Sequence, residues 1–252
     1  MVLIDNLIDN PNDLRVLVFA HSPEVTLGTF AQVLHQEYIP YEYLKMWQGA
    51  APSLPLDCYS HVVLLGGTMG AYEQEHYEFL RREYDYLDQI FHYQIPVLGI
   101  CLGAQMLAHF LGAKVAVGQY GKEIGWTPIH RLGTARHDPV VGHLPPESYF
   151  FEWHGDAFAL PTGAVGLLTS TLYPQQGFRY GERVWGVQFH PEVDGAIIQT
   201  WCAQADHPVP VPEIDTQSSL YLPQAISLGQ ELWRRFLAQN ERVTIGSGLC
   251  KQ

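Results

Sequence analysis

The chain has 252 residues, 47% of them apolar, which suffices for one domain with a sizeable buried core. Its 26 acidic and 14 basic residues give a formal charge of −12, which argues against a nucleic-acid binder, because such binding relies on Lys and Arg neutralising phosphates. No run of about 18 apolar residues is present, and the first dozen residues lack a basic stretch followed by an apolar one, so neither a membrane span nor an export signal is expected.

Arg15 to Ala20 is a short β-branched run that predicts a strand, and Leu27, Phe30, Val33 and Leu34 follow at helical spacing. Tyr41 to Trp47 alternates weakly as a second strand, and His61 to Leu65 reads as a buried strand ending at Gly66 and Gly67. Gln74 to Phe91 predicts a long surface helix with Tyr77, Leu80, Tyr84, Leu87 and Phe91 on its apolar face and its acids on a solvated one. Ile95 to Ile100 is the next buried strand. Strand and helix alternate in this way over the first 113 residues, which implies βαβ units. The fold class is therefore α/β, a mainly parallel sheet with helices on both faces.

Beyond Gly112, Gly and Pro punctuate strand-like runs at Lys114 to Val117, Ile124 to His130, Ser148 to Trp153 and Arg183 to Phe189. These are expected to extend the sheet and add an antiparallel layer. Asp206 to Gln217 contains Pro208, Pro210 and Pro212 and reads as an extended linker, with Pro223 to Gln239 as a final helix. The expected organisation is one domain over residues 1–206, with the linker and C-terminal helix of 207–252 packed on it.

Cys58, Cys101, Cys202 and Cys250 show neither C-x-x-C spacing nor the density of a disulfide scaffold, so a reducing cytoplasm is the expected location. His130, His137 and His143 fall at irregular intervals without an H-E-x-x-H or cysteine partner, so no metal and no cofactor is expected.

Gly99-Ile100-Cys101-Leu102-Gly103-Ala104-Gln105 lies where a buried strand gives way to a helix. A sharp turn there strains its central residue and crowds the residues two before and two after it, which requires small residues at Gly99 and Gly103. Cys101 then stands at the carboxyl end of the sheet, near a helix N-terminus that favours thiolate. The plain alternative is a small buried apolar cysteine. A thiolate also needs a base, and far downstream a strand-like run, Val184 to Phe189, ends in His190-Pro191-Glu192. In a parallel sheet His190 reaches the same edge as Cys101, and Glu192 is placed to orient it. His154 is the rival base, but it lacks a Pro-Glu sequel.

On these residues the sequence resembles the class I glutamine amidotransferase family, whose Cys-His-Glu triad lies in a G-x-C-x-G-x-Q elbow and an F-H-P-E segment, here Gly99 to Gln105 and Phe189 to Glu192. The similarity runs from about Arg15 to about Cys202. It implies a thiol nucleophile, Cys101, acting with His190 and Glu192 on the side-chain amide of glutamine. It also implies an oxyanion hole from the backbone of Gly67 and Leu102, and substrate contacts at Gly66, Gln105, Gly155 and Asp156. Thr68 stands where the family usually has Pro, so the register of that loop is open. Phe151 to Asp156 resembles the glutaminase portion of GMP synthetase and stand-alone members, as does Lys122 to Trp126, for which no chemical role is evident.

The resemblance also frames what becomes of the ammonia. About 50 residues remain beyond the similar region, too few for a synthetase domain, and no S-G-G-x-D-S nucleotide motif is visible. Three readings follow: a glutaminase serving a synthetase on a separate subunit, a free-standing γ-glutamyl peptide hydrolase, or a non-catalytic binding module that has kept the fold.

Overall fold

Val16–Ala20, the first strand (β1), is buried at every position, as a strand must be when helices cover both faces of its sheet. The computed structural model describes residues 14–240, so Cys250 and the first dozen residues lie outside it. After β1 come α1 (Thr29–Gln36), β2 (Tyr41–Lys45), β3 (His61–Leu64), α2 (Glu78–His92), β4 (Val97–Ile100) and α3 (Leu102–Phe110). The second half holds β5 (Val115–Val117), β6 (Glu123–Arg131), β7 (Glu147–His154), β8 (Asp156–Phe158), β9 (Val165–Thr169), β10 (Gly177–Tyr180), β11 (Val184–Val187), α4 (Gly195–Gln204) and α5 (Val211–Leu237).

A nine-stranded sheet runs in the order β2-β1-β3-β4-β11-β10-β9-β6-β7. The strands from β2 to β11 are parallel, and those beyond β11 pair antiparallel. Alternate residues feed two cores: Val16, Val18 and Val63 pack with α1 and α5, while Leu17, Phe19 and Val62 pack with α2 and α3. The expected mainly parallel α/β sheet with an antiparallel extension is therefore what the chain forms.

Three expectations need correction. Lys114 to Val117 does not extend the main sheet; β5 pairs with β8 in a separate two-stranded ribbon. Asp206 to Gln217 is not a linker throughout, because α5 begins at Val211 and runs through Pro212 and Pro223. Pro212 sits in the first turn, where a missing N–H costs little. Pro223 lies inside the helix, but Ile214, Ala225, Leu232, Trp233 and Phe236 carry a buried stripe past it on both sides, and packing of that stripe offsets the roughly 3 kcal/mol that an interior proline costs.

The third correction is the buried face of α2: Leu80 and Leu87 are buried as expected, but Glu83 and Ile90 complete the face, while Tyr84 and Phe91 are only partly buried against the core and Tyr77 is exposed. Glu83 is wholly buried, so one of the acids assigned to a solvated face points inward.

Candidate active site

Cys101 is the single residue between β4 and α3, and its backbone sits at φ 52° and ψ −107°. A non-glycine residue held at positive φ costs about 1–3 kcal/mol, which the surrounding structure must supply. The source is close packing. A Cβ on Gly99 would fall 2.5 Å from the carbonyl of Gly103, and one on Gly103 would fall 2.1 Å from the Leu64 carbonyl oxygen of β3. The Cys101 N–H donates to Val187 O at 2.9 Å, and Gln105 N–H donates to Cys101 O at 3.0 Å. Its side chain is 5% exposed, with Sγ 3.9 Å from the Trp153 carbonyl oxygen.

β11 lies parallel beside β4 with Val187 opposite Ile100, so both strands deliver their following residues to the same edge. There the His190 N–H donates to Phe151 O at 2.8 Å. Nδ1 of His190 donates to Glu192 Oε1 at 2.7 Å, and Cys101 is near enough to act on the charge of the ring. Glu192 is fully buried, and its carbonyl accepts from Thr29 N–H at 2.8 Å and Thr29 Oγ1 at 3.1 Å. Gly28 permits that contact: at φ 47°, a Cβ there would lie 2.1 Å from Glu192 O. Trp201 presents an edge to the His190 ring, with centroids 4.7 Å apart.

Burial disfavours a charged His190, but Glu192 and Cys101 together outweigh that effect, so the pKa rises to about 10. A protonated imidazole beside a sulfur suits a thiolate–imidazolium pair. His154 is held elsewhere. Its Nδ1 is 2.9 Å from Asp156 O and its Nε2 is 3.1 Å from Glu123 Oε2. Burial, and next the negative charge of Glu123, push the nearby Glu152 carboxyl well above the usual range.

The loop after β3 lies against this pair. A Cβ on Gly66 would stand 3.1 Å from His190 Cε1 and 3.7 Å from Cys101 Cβ, and one on Gly67 would stand 2.6 Å from Leu102 Cδ2. Leu102 opens α3, so its N–H lacks an intrahelical partner. Beyond Thr68, Gly70 N–H donates to Glu73 Oε2 at 2.7 Å and Glu73 N–H donates back to Gly70 O at 3.0 Å. This clamp braces the loop without the family's proline.

Two residues that bear on this loop escaped the sequence reading. His21, just after β1, donates from Nδ1 to Gly66 O at 2.8 Å, and its Nε2 meets Glu83 Oε2 at 2.9 Å. Burial works against the charged His21, yet Glu83 raises its pKa on balance. A buried ion pair thus anchors the Gly66 carbonyl. The sequence signal was Glu83 itself, a charge spaced three and four residues from Leu80 and Leu87.

Above the sulfur opens a cavity of about 630 Å³, lined by Gly67, Cys101, Gln105, Gly155, Asp156 and His190 among others. Gly66, Leu102 and Glu192 are not among its lining residues. Gln105 Nε2 donates to Asp156 O at 3.1 Å and Gln188 Oε1 at 3.2 Å, which ties the α3 wall to the Gly155–Asp156 wall. Burial and the neighbouring Asp156 raise the Tyr72 hydroxyl pKa, and both residues line the cavity. Lys122 packs beside Gly155 and also faces the cavity.

The geometry, a sulfur, an imidazole and a carboxylate in series beside backbone N–H groups, is suited to acyl transfer through a thioester. The family model for class-I glutamine amidotransferases matches residues 30–198. The chain is 34% identical over 134 residues to the glutamine-hydrolyzing GMP synthase of Bacillus pumilus, a match covering 52% of this chain and 24% of that protein. It is 39% identical over 101 residues to one of the subunits of the glutamine-hydrolyzing GMP synthase of Natronomonas pharaonis, covering 39% of this chain and 53% of that relative. The chain thus spans about a quarter of the first relative and about half of the second. The crystal structure of a glutamine amidotransferase from Thermotoga maritima superposes with a TM-score of 0.77 at 36% identity, over 90% of this chain and 97% of that one. Motifs, fold and these matches agree: the chain belongs to the class I glutamine amidotransferase family.

Proposed function

We propose that the chain hydrolyses the side-chain amide of glutamine, with Cys101 as nucleophile, His190 as acid and base, and Glu192 orienting His190. The thiolate attacks the amide carbonyl carbon, and the N–H groups of Gly67 and Leu102 hold the resulting oxyanion, each donor contributing about 3 kcal/mol. His190 passes its proton to the amide nitrogen, the C–N bond breaks, and ammonia leaves a γ-glutamyl thioester on Cys101. Water then attacks the thioester while His190 takes its proton, and the C–S bond breaks to release glutamate. Gly66, Gln105, Gly155 and Asp156 are the proposed contacts of the glutamyl moiety. The reading is carried by His190, held by Glu192 at 2.7 Å and turned to a sulfur at the cavity floor.

A glutaminase assay with Cys101→Ala tests this: loss of at least about 10⁴-fold in kcat is expected, and wild-type turnover would sink the assignment. Labelling by a glutamine-analogue electrophile separates the enzyme from a non-catalytic module, since the module would leave Cys101 unmodified.

The likeness to one of the subunits of a GMP synthase supports delivery of the ammonia to a synthetase carried on a separate polypeptide. A second reading is favoured by the cavity, whose 630 Å³ lies in the range that takes drug-sized ligands and exceeds the need of a five-carbon amino acid. On that reading the leaving group is a larger amine and the substrate a γ-glutamyl peptide. Turnover of such peptides by the chain alone supports the hydrolase; activity that appears only with a synthetase partner supports the amidotransferase pairing.

A further inference from the structure

β6 and β7 pair with Glu123 opposite His154, and Glu152, two residues earlier on β7, points to the same face as His154. All three are buried, Glu152 completely, and one ligand atom from each lies within 4.8 Å of the others. His154 Nε2 is 3.1 Å from Glu123 Oε2 and 3.4 Å from Glu152 Oε2.

The hydrogen on this ring is fixed by its other side. Nδ1 is 2.9 Å from the Asp156 carbonyl oxygen, which can only accept, so Nδ1 donates. A neutral ring then turns the Nε2 lone pair toward one carboxyl oxygen of each glutamate, at 3.1 and 3.4 Å. Glu123 is held in place by Ser170 Oγ at 2.7 Å on Oε1 and Gln176 Nε2 at 2.6 Å on Oε2. Neither oxygen of Glu152 accepts a hydrogen bond, although both are sealed from solvent. Ionising both of these carboxyl groups away from water requires a compensating charge.

We propose that Glu123, Glu152 and His154 bind one divalent transition-metal ion of the zinc type behind the wall of the cavity. Tetrahedral ligands with bonds of about 2.0–2.1 Å stand roughly 3.3 Å apart, and the two measured separations of 3.1 and 3.4 Å bracket that value. The outer partners also fit. An Nδ1–H on a backbone carbonyl, and a carboxylate held by a hydroxyl and an amide, are what orient metal ligands elsewhere. A doubly charged cation neutralises the two carboxylates, and His154 borders the cavity, which provides an entry path. The three residues come from paired strands and form no compact motif, which is why the sequence pointed to no metal.

The test uses the full chain, stripped with chelator and titrated with Zn²⁺ against a chromophoric competitor. Wild type and Cys101→Ala are expected to take up one ion per chain, and Glu152→Gln, checked for folding by circular dichroism, to bind at least about 100-fold more weakly. X-ray absorption on the zinc-loaded wild type should show a nitrogen–oxygen shell with one imidazole and no sulfur, which decides the matter even if Glu152→Gln fails to fold. No stoichiometric uptake at micromolar Zn²⁺ overturns the proposal and leaves a shared proton as the compensation. Loss of uptake in Cys101→Ala, sulfur in the shell, or unchanged affinity in a folded Glu152→Gln also overturns it.

Discussion

Gly103→Ala sets two effects of opposite sign against each other at the elbow. Gly103 is the second residue of α3, and replacing a helical glycine by alanine ordinarily stabilises by up to about 1 kcal/mol. Here the new Cβ would lie 2.1 Å from Leu64 O and 2.6 Å from Leu64 Cβ, below the 3.0 Å that real Cβ contacts keep. The helix must therefore withdraw by 3.0 − 2.1 = 0.9 Å from a central strand, against a backbone carbonyl that cannot rotate away. Overpacking of this kind costs about 1–3 kcal/mol. With a rigid obstacle the upper value applies, so the net loss is about 2 kcal/mol, or a fall in Tm of roughly 4–8 °C for a chain of this size. The same displacement moves Cys101 relative to His190, and a misplacement near 1 Å costs about 100-fold in kcat. Thermal unfolding and glutaminase assays read both effects. Gly133→Ala is the matched control, because nothing lies within 4 Å of its added Cβ. If Gly103→Ala is as stable and active as Gly133→Ala, the claim that close approach of α3 to β3 builds the elbow is wrong.

Glu192→Gln removes the largest of the causes that raise the His190 pKa, so the imidazole should lose its proton at a lower pH than about 10. By analogy with other triads kcat should fall about 10⁴-fold. The raised His190 pKa stabilises the fold fully below the unfolded value near 6.5, and that contribution fades as pH rises to about 10. The stability gap between wild type and Glu192→Gln in urea titrations should accordingly shrink from pH 6.5 to pH 10; a gap that stays flat refutes the coupling. Glu83→Gln leaves His21 buried without its counter-charge, and breaking such a pair typically costs about 3–5 kcal/mol. Because His21 holds the Gly66 carbonyl, the same variant should lower kcat by about 10-fold or more with little change in KM. Unchanged kcat in a folded Glu83→Gln protein would remove the pair from any account of the oxyanion loop.

The parallel half of the sheet was legible because β1, β3 and β4 are buried on both faces and read as unbroken apolar runs between amphipathic segments. The elbow and the His190 segment were legible because each follows such a strand. The antiparallel half was harder. β9 and β10 were missed: β9 carries Gly166, β10 opens on Gly177, and their ladders to β6 and β11, not local propensity, make them strands. The start of α5 was hidden by prolines whose cost is met by packing remote in sequence. The face of α2 was misread by one step, and that step separates an acid on a solvated surface from Glu83 clamping His21.

Among the described residues, His21, His154 and His190 are buried imidazoles with carboxylate partners around this site, and nothing in a composition of twelve histidines distinguishes them. What separates them is the atom each ring presents. His21 spends both nitrogens on Gly66 O and Glu83, so it can only hold backbone in place. His154 spends Nδ1 on Asp156 O and faces two carboxylates with the other nitrogen, which suits a cation rather than a sulfur. His190 alone of the three engages its carboxylate through Nδ1 and meets Cys101 with the rest of the ring. That assignment depends on a partner two residues away, Glu192, which turns back across Pro191 and leaves the opposite side of the imidazole uncovered. The H-P-E turn is therefore the chemical signal: a partner on another element, such as Glu83, locks a ring between two elements, whereas Glu192, reached across Pro191 and bound at Nδ1, orients His190 and leaves its other nitrogen for the nucleophile.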